Sequence, residues 1–267
     1  MARRDDSEPL ACALAIGGLD PGGGAGLAAD LRAFGRAGAF GCAVAAVLTV
    51  QSTSGLRAAH AVRTKLVLEQ AREVLSHQRV GAIKTGALGT SANLKAVAHL
   101  LAEHPRIPVV VDPVMMPTRG SGRLLAERAL GALRRELLPR ATLVTANVPE
   151  AEAITGARIL DVEAAARAAV AIRALGAHAV LVKGGHLAGP ESIDVLCTEK
   201  GTTLLASKRL KLPSGLHGGG CTLASLIAGR LALGDALLPA VKWAKKVHAA
   251  ALALPRDVGG ELRVLAV

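Results

Sequence analysis

At residues 215–222 the chain reads Gly-Leu-His-Gly-Gly-Gly-Cys-Thr, and a mainly apolar run follows from 223 to 233. This order predicts a glycine loop that opens a helix, whose first N–H groups are free to bind an anion. The spacing fits the phosphate-binding pattern G-x-x-x-x-G-K-[ST], except that Cys221 stands in the lysine position. The stretch therefore predicts a site for a phosphoryl group.

Cys221 lies at the predicted start of this helix. The helix dipole and the free N–H groups stabilise negative charge there, so we expect a favoured thiolate and a candidate base. The alternative is a capped glycine turn with a buried cysteine, since free cysteine is among the most buried residue types.

Composition favours one domain with an aliphatic core. Hydrophobic residues make up 51% of the 267 residues and aromatic residues only 1%. No linker or composition break appears, so we expect a single domain over residues 1–267, with residues 1–10 as a disordered extension. The four cysteines show no CxxC spacing, which argues against zinc and disulfides and favours a cytoplasmic protein.

The net charge of +11 raises the question of nucleic-acid binding. The basic residues are scattered and are not interleaved with aromatic residues, and no helix-turn-helix or zinc-finger spacing is present. No apolar run reaches the roughly 18–20 residues of a membrane span. We predict neither a nucleic-acid nor a membrane partner, and a basic surface that attracts anionic substrates.

Short apolar strands alternate with helices along the chain, which predicts βαβ units and a mostly parallel sheet. An antiparallel pair is expected near the end of the sheet, at 193–197 and 202–206. The other predicted strands are 11–17, 39–50, 80–84, 108–112, 141–146 and 179–183, and the other predicted helices are 27–37, 65–76, 91–103, 124–138, 161–175 and 236–254.

Polar and glycine clusters follow most of the predicted strands. Ligands bind outside the carboxyl ends of strands in an open parallel sheet, so these clusters should meet at one edge. Asp112 and Glu150 are suited to Mg²⁺, and Lys183 to a phosphate. With the glycine N–H groups they favour phosphoryl transfer. The alternatives are a turn residue before Pro113 for Asp112 and a helix-opening residue for Glu150.

A second glycine pattern, at residues 24–29, matches the dinucleotide-binding sequence G-x-G-x-x-A. That pattern requires an acidic residue at the tip of the next strand, where this chain has Gln51-Ser52-Thr53, so we set the dinucleotide interpretation aside. Asp30 follows the loop, and the residues alone favour a solvated helix position or a partner for Arg32 or Arg36.

Several motifs in this order resemble the bacterial hydroxymethylpyrimidine/phosphomethylpyrimidine kinases of thiamine biosynthesis, in the ribokinase-like superfamily. The resemblance covers residues 11–235. The motifs are Gly-Leu-Asp-Pro-Gly-Gly-Gly-Ala-Gly (18–26), Ala-Ala-Asp-Leu (28–31), Lys-Thr-Gly-Ala-Leu (84–88), Val-Val-Asp-Pro-Val-Met (110–115), Asn-Val-Pro-Glu-Ala (147–151), Lys-Gly-Gly-His (183–186) and His-Gly-Gly-Gly-Cys-Thr (217–222).

The resemblance implies a three-layer α/β/α ribokinase-like sandwich with a mostly parallel central sheet. It implies phosphorylation of 4-amino-5-hydroxymethyl-2-methylpyrimidine, and then of its monophosphate, with ATP and Mg²⁺. A homodimer is also expected. The implied catalytic residues are Gly218, Gly219, Gly220 and Cys221, the last as base. The implied substrate-binding residues are Gly18, Asp30 and Gln51, the ATP-binding residues Asn147, Glu150, Lys183 and Thr222, and the metal-binding residues Asp112 and Glu150.

The chain departs from the family pattern at several positions. Gly219 stands where the family usually has threonine or serine, and Ala87 replaces a methionine of the substrate pocket. The stretch after Met115 carries one extra residue. These departures keep two alternatives open, a pyridoxal or pyridoxine kinase of the same subfamily and a ligand-binding protein with weakened catalysis.

Overall fold

A large central sheet dominates the computed structural model, which describes residues 10–117, 119, 124–125, 129–210 and 215–267. Within these residues the sheet has nine strands in the order β3-β2-β1-β4-β5-β6-β7-β8-β9. The strands are β1 (Cys12–Leu19), β2 (Phe40–Ser52), β3 (Gly55–Ala61), β4 (Val80–Thr85), β5 (Val109–Val111), β6 (Leu143–Asn147), β7 (Val180–Lys183), β8 (Glu191–Thr198) and β9 (Gly201–Lys208).

Six neighbouring strands of the sheet run parallel to one another, in the order β2, β1, β4, β5, β6 and β7. Antiparallel strands flank them, β3 on one side and β8 and β9 on the other. The central parallel strands are buried on both faces, which is why they appear in the sequence as continuous apolar runs. The carboxyl ends of the parallel strands meet at one edge, as predicted.

Helices cover both faces of the sheet, so the predicted three-layer α/β/α sandwich is confirmed. One layer contains α1 (Gly26–Ala37), α7 (Gly219–Ala232) and α8 (Leu237–Ala253). The other layer contains α2 (Thr64–His77), α3 (Ser91–Glu103), α4 (Leu130–Ala132), α5 (Val148–Thr155) and α6 (Val162–Arg173).

The two faces of β1 carry side chains of different size. Leu14 and Ile16 pack towards α2 and α3, whereas Ala13 and Ala15 pack towards α1 and α7. The small residues let α7 approach closely: a Cβ built on Gly229 would lie 2.6 Å from the Cβ of Ala37 in α1. Close packing of small residues therefore forms this core despite the scarcity of aromatic side chains.

Some predicted elements differ from the structure. The strand β3 was not predicted, because its burial pattern does not alternate cleanly. Among the described residues, the helix predicted at 124–138 begins only at Leu130. It widens into a π turn (Leu133–Leu137) and then tightens into a 3-10 turn (Leu138–Arg140). The predicted disordered extension lies outside the described residues except Leu10, and so does part of the stretch after Met115.

The C-terminal segment forms a second, short sheet. β11 (Arg263–Val264) pairs in parallel with β10 (Leu216–His217), directly before the glycine loop. Leu262, Val264 and Leu265 are buried. This segment thus packs against the loop that opens α7. No helix among the described residues has the length and apolar character needed to cross a membrane.

Candidate active site

The start of α7 forms the centre of the site. Gly218 caps the helix with a φ of +79°, and a Cβ built on it would lie 2.0 Å from the carbonyl oxygen of Gly24. Only glycine fits this position. The first hydrogen bond of the helix runs from the N–H of Thr222 to the carbonyl of Gly218, at 3.0 Å. The preceding N–H groups therefore have no partner inside the helix and can bind an anion.

A cavity of about 130 Å³ lies against this helix start and brings together most of the residues that the sequence singled out. The predicted site residues on its wall are Gly18, Gln51, Asp112, Asn147, Glu150, Lys183, Gly218, Gly219, Gly220 and Cys221. Thr222 does not reach the wall, because it is 1% exposed and its hydroxyl donates a hydrogen bond to the carbonyl of Gly218. The hydroxyl is therefore not available to a ligand here.

Asp30 also lies away from the cavity wall, contrary to the expectation of a substrate contact. Its side chain is 1% exposed, and both carboxylate oxygens accept hydrogen bonds from Lys84 Nζ, at 2.9 and 3.0 Å. Ser225 Oγ donates a third, at 2.6 Å. The residues alone favoured a solvated position for Asp30 or an ion pair with Arg32 or Arg36. Both interpretations are wrong, because Lys84 of β4 forms the ion pair with the buried carboxylate.

Lys84 belongs to the motif at 84–88, but the sequence analysis assigned it no role. It is 1% exposed, yet it reaches the cavity beside Cys221. The signal in the sequence was a lysine inside an apolar strand, because a buried lysine requires a paired carboxylate. Burial disfavours its charge, but Asp30, Cys221 and Asp112 together outweigh that effect and raise the pKa of Lys84, so the ammonium ion is kept.

A second buried pair joins β5 to β7. Lys183 Nζ lies 3.2 Å from Asp112 Oδ1, and Thr145 Oγ1 donates to the same oxygen at 3.3 Å. Burial alone would raise the pKa of Asp112, but the ammonium groups of Lys183 and Lys84 outweigh it and lower the pKa. The carboxylate is therefore ionised at neutral pH and lies deep in the cavity.

Glu150 both opens a helix and lines the cavity. Its Oε2 accepts the N–H of Asn147 at 2.8 Å, and its own N–H donates to Asn147 Oδ1 at 2.8 Å, so the two residues form a capping box at the start of α5. Burial raises the pKa of Glu150 to about 7, and the nearby charge of Asp112 adds to the shift against the opposing effect of Lys183.

Glu150→Gln should reduce the loss of stability that occurs as the pH rises from about 4.5 to about 7. Because the pKa of Glu150 is raised in the folded protein, its contribution to stability is full below the ordinary value of 4.5 and falls as the pH rises through about 7. The wild-type Tm should thus fall more between pH 5 and pH 8 than the Tm of the variant, whose amide oxygen can still cap α5. Glu69→Gln on the surface of α2 is the control, and equal pH dependence in all three proteins would contradict the prediction.

The thiol of Cys221 differs from the sequence expectation of a favoured thiolate. Burial raises its pKa to about 12; the ammonium group of Lys84 opposes the shift, and the carboxylates of Asp112 and Asp30 reinforce it. Both lysines around the thiol are paired with aspartates, so little net positive charge remains to stabilise a thiolate. At neutral pH Cys221 is a protonated thiol.

A third polar cluster lies on the wall of the smaller cavity and connects two loops. His217 Nε2 lies 2.7 Å from Asp20 Oδ2, and Gln51 Nε2 lies 3.1 Å from the same imidazole nitrogen. The carboxylate oxygens of Asp20 also accept the N–H groups of Gly22 and Ala25, each at 2.9 Å. The cluster fixes the loop after β1 against the loop before α7.

A larger cavity of about 960 Å³ adjoins the smaller one at the start of α7. It shares Asn147, Glu150, Lys183, Gly219 and Gly220 with the smaller cavity. It also carries the basic side chains of Lys208, Arg209 and Lys245, so it suits a large anion. The site thus consists of the larger and the smaller cavity, which meet at the free N–H groups of α7.

A metal ion would have few side-chain ligands here. Among the described residues no group of three or more histidine, cysteine, aspartate or glutamate side chains is arranged to hold one. Mg²⁺ is commonly held by one or two carboxylates together with phosphates and water. The two carboxylates of Asp112 and Glu150 repel each other, which a bound cation would relieve, so they fit such an ion.

Comparison with known proteins identifies the family. The sequence profile of phosphomethylpyrimidine kinase matches residues 20–263. The hydroxymethylpyrimidine/phosphomethylpyrimidine kinase of Rhizobium meliloti is 43% identical over 92% of this chain and 92% of that protein. The thiamine biosynthesis bifunctional protein ThiED of Geobacter sulfurreducens is 41% identical over 94% of this chain, but the chain spans only 51% of that longer protein.

Solved structures show the same architecture. The pyridoxal kinase of Bacillus subtilis, solved as an ADP complex, has a TM-score of 0.88 and 30% identity, covering 96% of this chain and 97% of that chain. The phosphomethylpyrimidine kinase of Clostridium difficile has a TM-score of 0.79 and 33% identity, covering 90% of this chain and 99% of that chain. By its sequence, its fold and the convergence of its motifs, the chain belongs to the phosphomethylpyrimidine kinase family.

Proposed function

We propose that the protein transfers a phosphoryl group from ATP to 4-amino-5-hydroxymethyl-2-methylpyrimidine, and then to its monophosphate, in thiamine biosynthesis. The observation that carries the proposal is the position of the free N–H groups of α7 between a large cationic cavity and a small one, in a member of this family. The large cavity suits the nucleotide and the small one suits a single aromatic ring.

The residues shared by the two cavities would bind the transferred phosphoryl group. Lys183 places an ammonium group there, and a Cβ built on Gly220 would lie 3.1 Å from its Nζ, so the lysine adjoins the glycine N–H groups. Charge that develops on the phosphoryl oxygens is then stabilised by fixed donors. Asn147 and Glu150 form the nucleotide side of the same wall.

Asp112 and Glu150 would hold Mg²⁺ together with the phosphates. When bound, the ion neutralises phosphate charge and orients the transferred group. The capping box keeps Glu150 in place at the start of α5, and the ion pair with Lys183 keeps Asp112 in place beside it. One oxygen of each carboxylate is engaged in these contacts, and the other would be the ligand for the cation.

Cys221 would accept the proton of the attacking hydroxyl group. A thiol accepts a proton only in its thiolate form, which the ammonium group of Lys84 favours and the neighbouring carboxylates disfavour. A loose phosphoryl-transfer transition state requires little early proton removal, so a scarce thiolate suffices late in the reaction. Asp30 acts indirectly, by holding Lys84 in its charged form beside the thiol.

The small cavity would bind the pyrimidine ring. Gly18 and Ala87 face each other there, since a Cβ built on Gly18 would lie 3.5 Å from the Cβ of Ala87. Gln51 supplies an amide that can form hydrogen bonds with a ring nitrogen or an amino group. The imidazole of His217, which is bound by Asp20, lies beside that amide, with 3.1 Å between His217 Nε2 and the Gln51 side-chain nitrogen.

Gln51→Ala should weaken binding of the acceptor alcohol and leave ATP binding unchanged. Loss of one hydrogen bond and its positioning should raise the KM of the alcohol roughly tenfold, which corresponds to about 1.4 kcal/mol. Steady-state kinetics with each substrate varied in turn measures both KM values. Thr202→Ala, at an exposed position of β9 that lines neither cavity, is the control. Equal effects on both KM values would place Gln51 outside the acceptor site.

Pyridoxal phosphorylation is the second candidate function. Two observations favour it: the TM-score of 0.88 to a pyridoxal kinase, and the alanine at position 87, which leaves more room than a methionine. Pyridoxal carries more substituents on its ring, so it would use that room. Both activities would use the larger cavity for the nucleotide, and they would differ only in the acceptor that the smaller cavity binds.

The proposal is tested by incubating the protein with ATP, Mg²⁺ and the hydroxymethylpyrimidine, and by mass spectrometry of the products over time. We expect the monophosphate first and the diphosphate later. Absence of both products, with intact folding shown by circular dichroism, would refute the proposed activity. Omission of Mg²⁺ should abolish turnover.

We also expect a homodimer, as the family resemblance implies, and a cytoplasmic location, as the cysteine pattern favours. The free cysteines are in accord with a reducing compartment: Cys12, Cys42 and Cys197 are buried and Cys221 is half-buried. Light scattering of the purified protein measures its mass, and a mass near 27.1 kDa would show a monomer instead.

A further inference from the structure

His248, on α8, contacts the backbone of the glycine loop. Its Nε2 lies 2.8 Å from the carbonyl oxygen of Gly219, and its side chain lines the larger cavity. A carbonyl oxygen only accepts hydrogen bonds, so the proton of the imidazole is on Nε2. Burial lowers the pKa of His248 to about 4, and the imidazole is therefore neutral at neutral pH, with its single N–H group committed to Gly219.

This hydrogen bond fixes the direction of the next N–H group. The peptide bond is planar and trans, so the carbonyl of Gly219 and the N–H of Gly220 point in opposite directions. Three consecutive glycines leave the backbone with wide conformational freedom, and a flipped peptide would turn a carbonyl oxygen towards the phosphates. Gly219 is the first residue of α7, so the hydrogen bond from His248 adds to the helical geometry that orients this carbonyl and opposes that flip.

The imidazole also fills space that a side chain on residue 219 would approach. A Cβ built on Gly219 would lie 3.8 Å from His248 Nε2 and 2.9 Å from Leu216 Cδ2. Residue 219 itself offers no hydroxyl group to the loop, unlike the threonine or serine expected from the family pattern. His248 of α8 thus supplies a hydrogen bond to the loop at Gly219, which has no side chain of its own.

We propose that His248 is a positioning residue for phosphoryl transfer: it holds the Gly219 carbonyl and so aims the Gly220 N–H at the transferred group. The proposal rests on the proposed function, because it takes the start of α7 as the phosphoryl site. His248 acts through the backbone and need not touch the substrates.

The test compares His248→Ala, His248→Gln and the double variant His248→Ala/Gly219→Ser. We expect kcat to fall about tenfold in His248→Ala, less than the 10²–10³-fold typical of deleting a donor outright. Glutamine can donate to the same carbonyl and should restore most of kcat. Serine at 219 should restore part of it, in the space that the imidazole leaves. His77→Ala, on the surface at the end of α2, is the matched control.

Nucleotide binding gives a second readout that does not depend on the acceptor. Calorimetry should show weaker binding of AMP-PCP, which carries a γ-phosphonate, to His248→Ala, and unchanged binding of ADP. A wild-type protein that binds AMP-PCP but phosphorylates no acceptor would refute the proposed function alone, and this comparison would still decide the role of His248. The proposal is overturned if His248→Ala matches His77→Ala, or if glutamine and alanine lower kcat equally.

Discussion

Cys221→Ala will lower kcat by roughly 10²–10⁴-fold, the range that a general base contributes, with little change in the KM of ATP. The thiol lines the smaller cavity beside Lys84 and directly follows Gly220, which lines both cavities, so the hydroxyl group of the acceptor would enter near it. The remaining residues still bind both substrates, so binding should survive. Stopped-time product analysis measures kcat, and Cys197→Ala, which removes a buried thiol from β8, is the matched control.

The pH profile tests the role of the thiol more sharply. Because burial raises the pKa of Cys221 to about 12, the thiolate fraction grows tenfold per pH unit throughout the neutral range. If the thiolate is the base, kcat/KM should rise from pH 7 to pH 9 without a plateau, and the rise should disappear in Cys221→Ala. A flat wild-type profile above pH 7 would contradict the base role and leave Cys221 as a positioning group.

Asp30→Asn should destabilise the protein by about 3–5 kcal/mol, because it leaves the ammonium group of Lys84 buried without its partner. Urea unfolding measures the change. The exposed pair of Lys65 and Glu69 on α2 is the control: Glu69→Gln should cost well under 1 kcal/mol, since exposed ion pairs contribute little. A loss below 1 kcal/mol for Asp30→Asn would show that the buried pair is not what holds β4 to α1.

The double variant Asp30→Asn/Lys84→Met separates the stabilising role of the pair from its role in catalysis. Replacement of both charges by neutral side chains removes the unpaired ion, so most of the stability should return. Activity should not return, because the thiol has lost the ammonium group that favours its thiolate. A double variant that regains both stability and full kcat would show that the pair is purely structural.

The sequence predicted the fold and the place of the site because both follow from local patterns. Apolar runs that end in glycine or a polar residue are the buried parallel strands, and their carboxyl ends necessarily share one edge. The glycine loop before α7 was identified by the same reasoning. Position at a strand end therefore sufficed to bring Gln51, Asp112, Glu150 and Lys183 to one cavity.

The pairings inside the site could not be predicted in this way. Asp30 and Lys84 are 54 residues apart in sequence, and only the close packing of α1 against the sheet brings them together. The sequence pattern predicted that Cys221 lies at the start of a helix, but not that it is buried near the carboxylates of Asp112 and Asp30. The helix dipole therefore predicted a lowered pKa for the thiol, whereas the pKa is raised. His248 was also missed, because a lone histidine on an amphipathic helix carries no signal without its carbonyl partner.

The most direct test of the central claim is a comparison of kcat/KM for hydroxymethylpyrimidine, its monophosphate and pyridoxal, with MgATP and one protein preparation. We expect turnover with both pyrimidines, and a kcat/KM for hydroxymethylpyrimidine above that for pyridoxal. Turnover with pyridoxal alone would contradict it: the phosphoryl site at α7 would stand, but the small cavity would belong to a pyridoxal kinase.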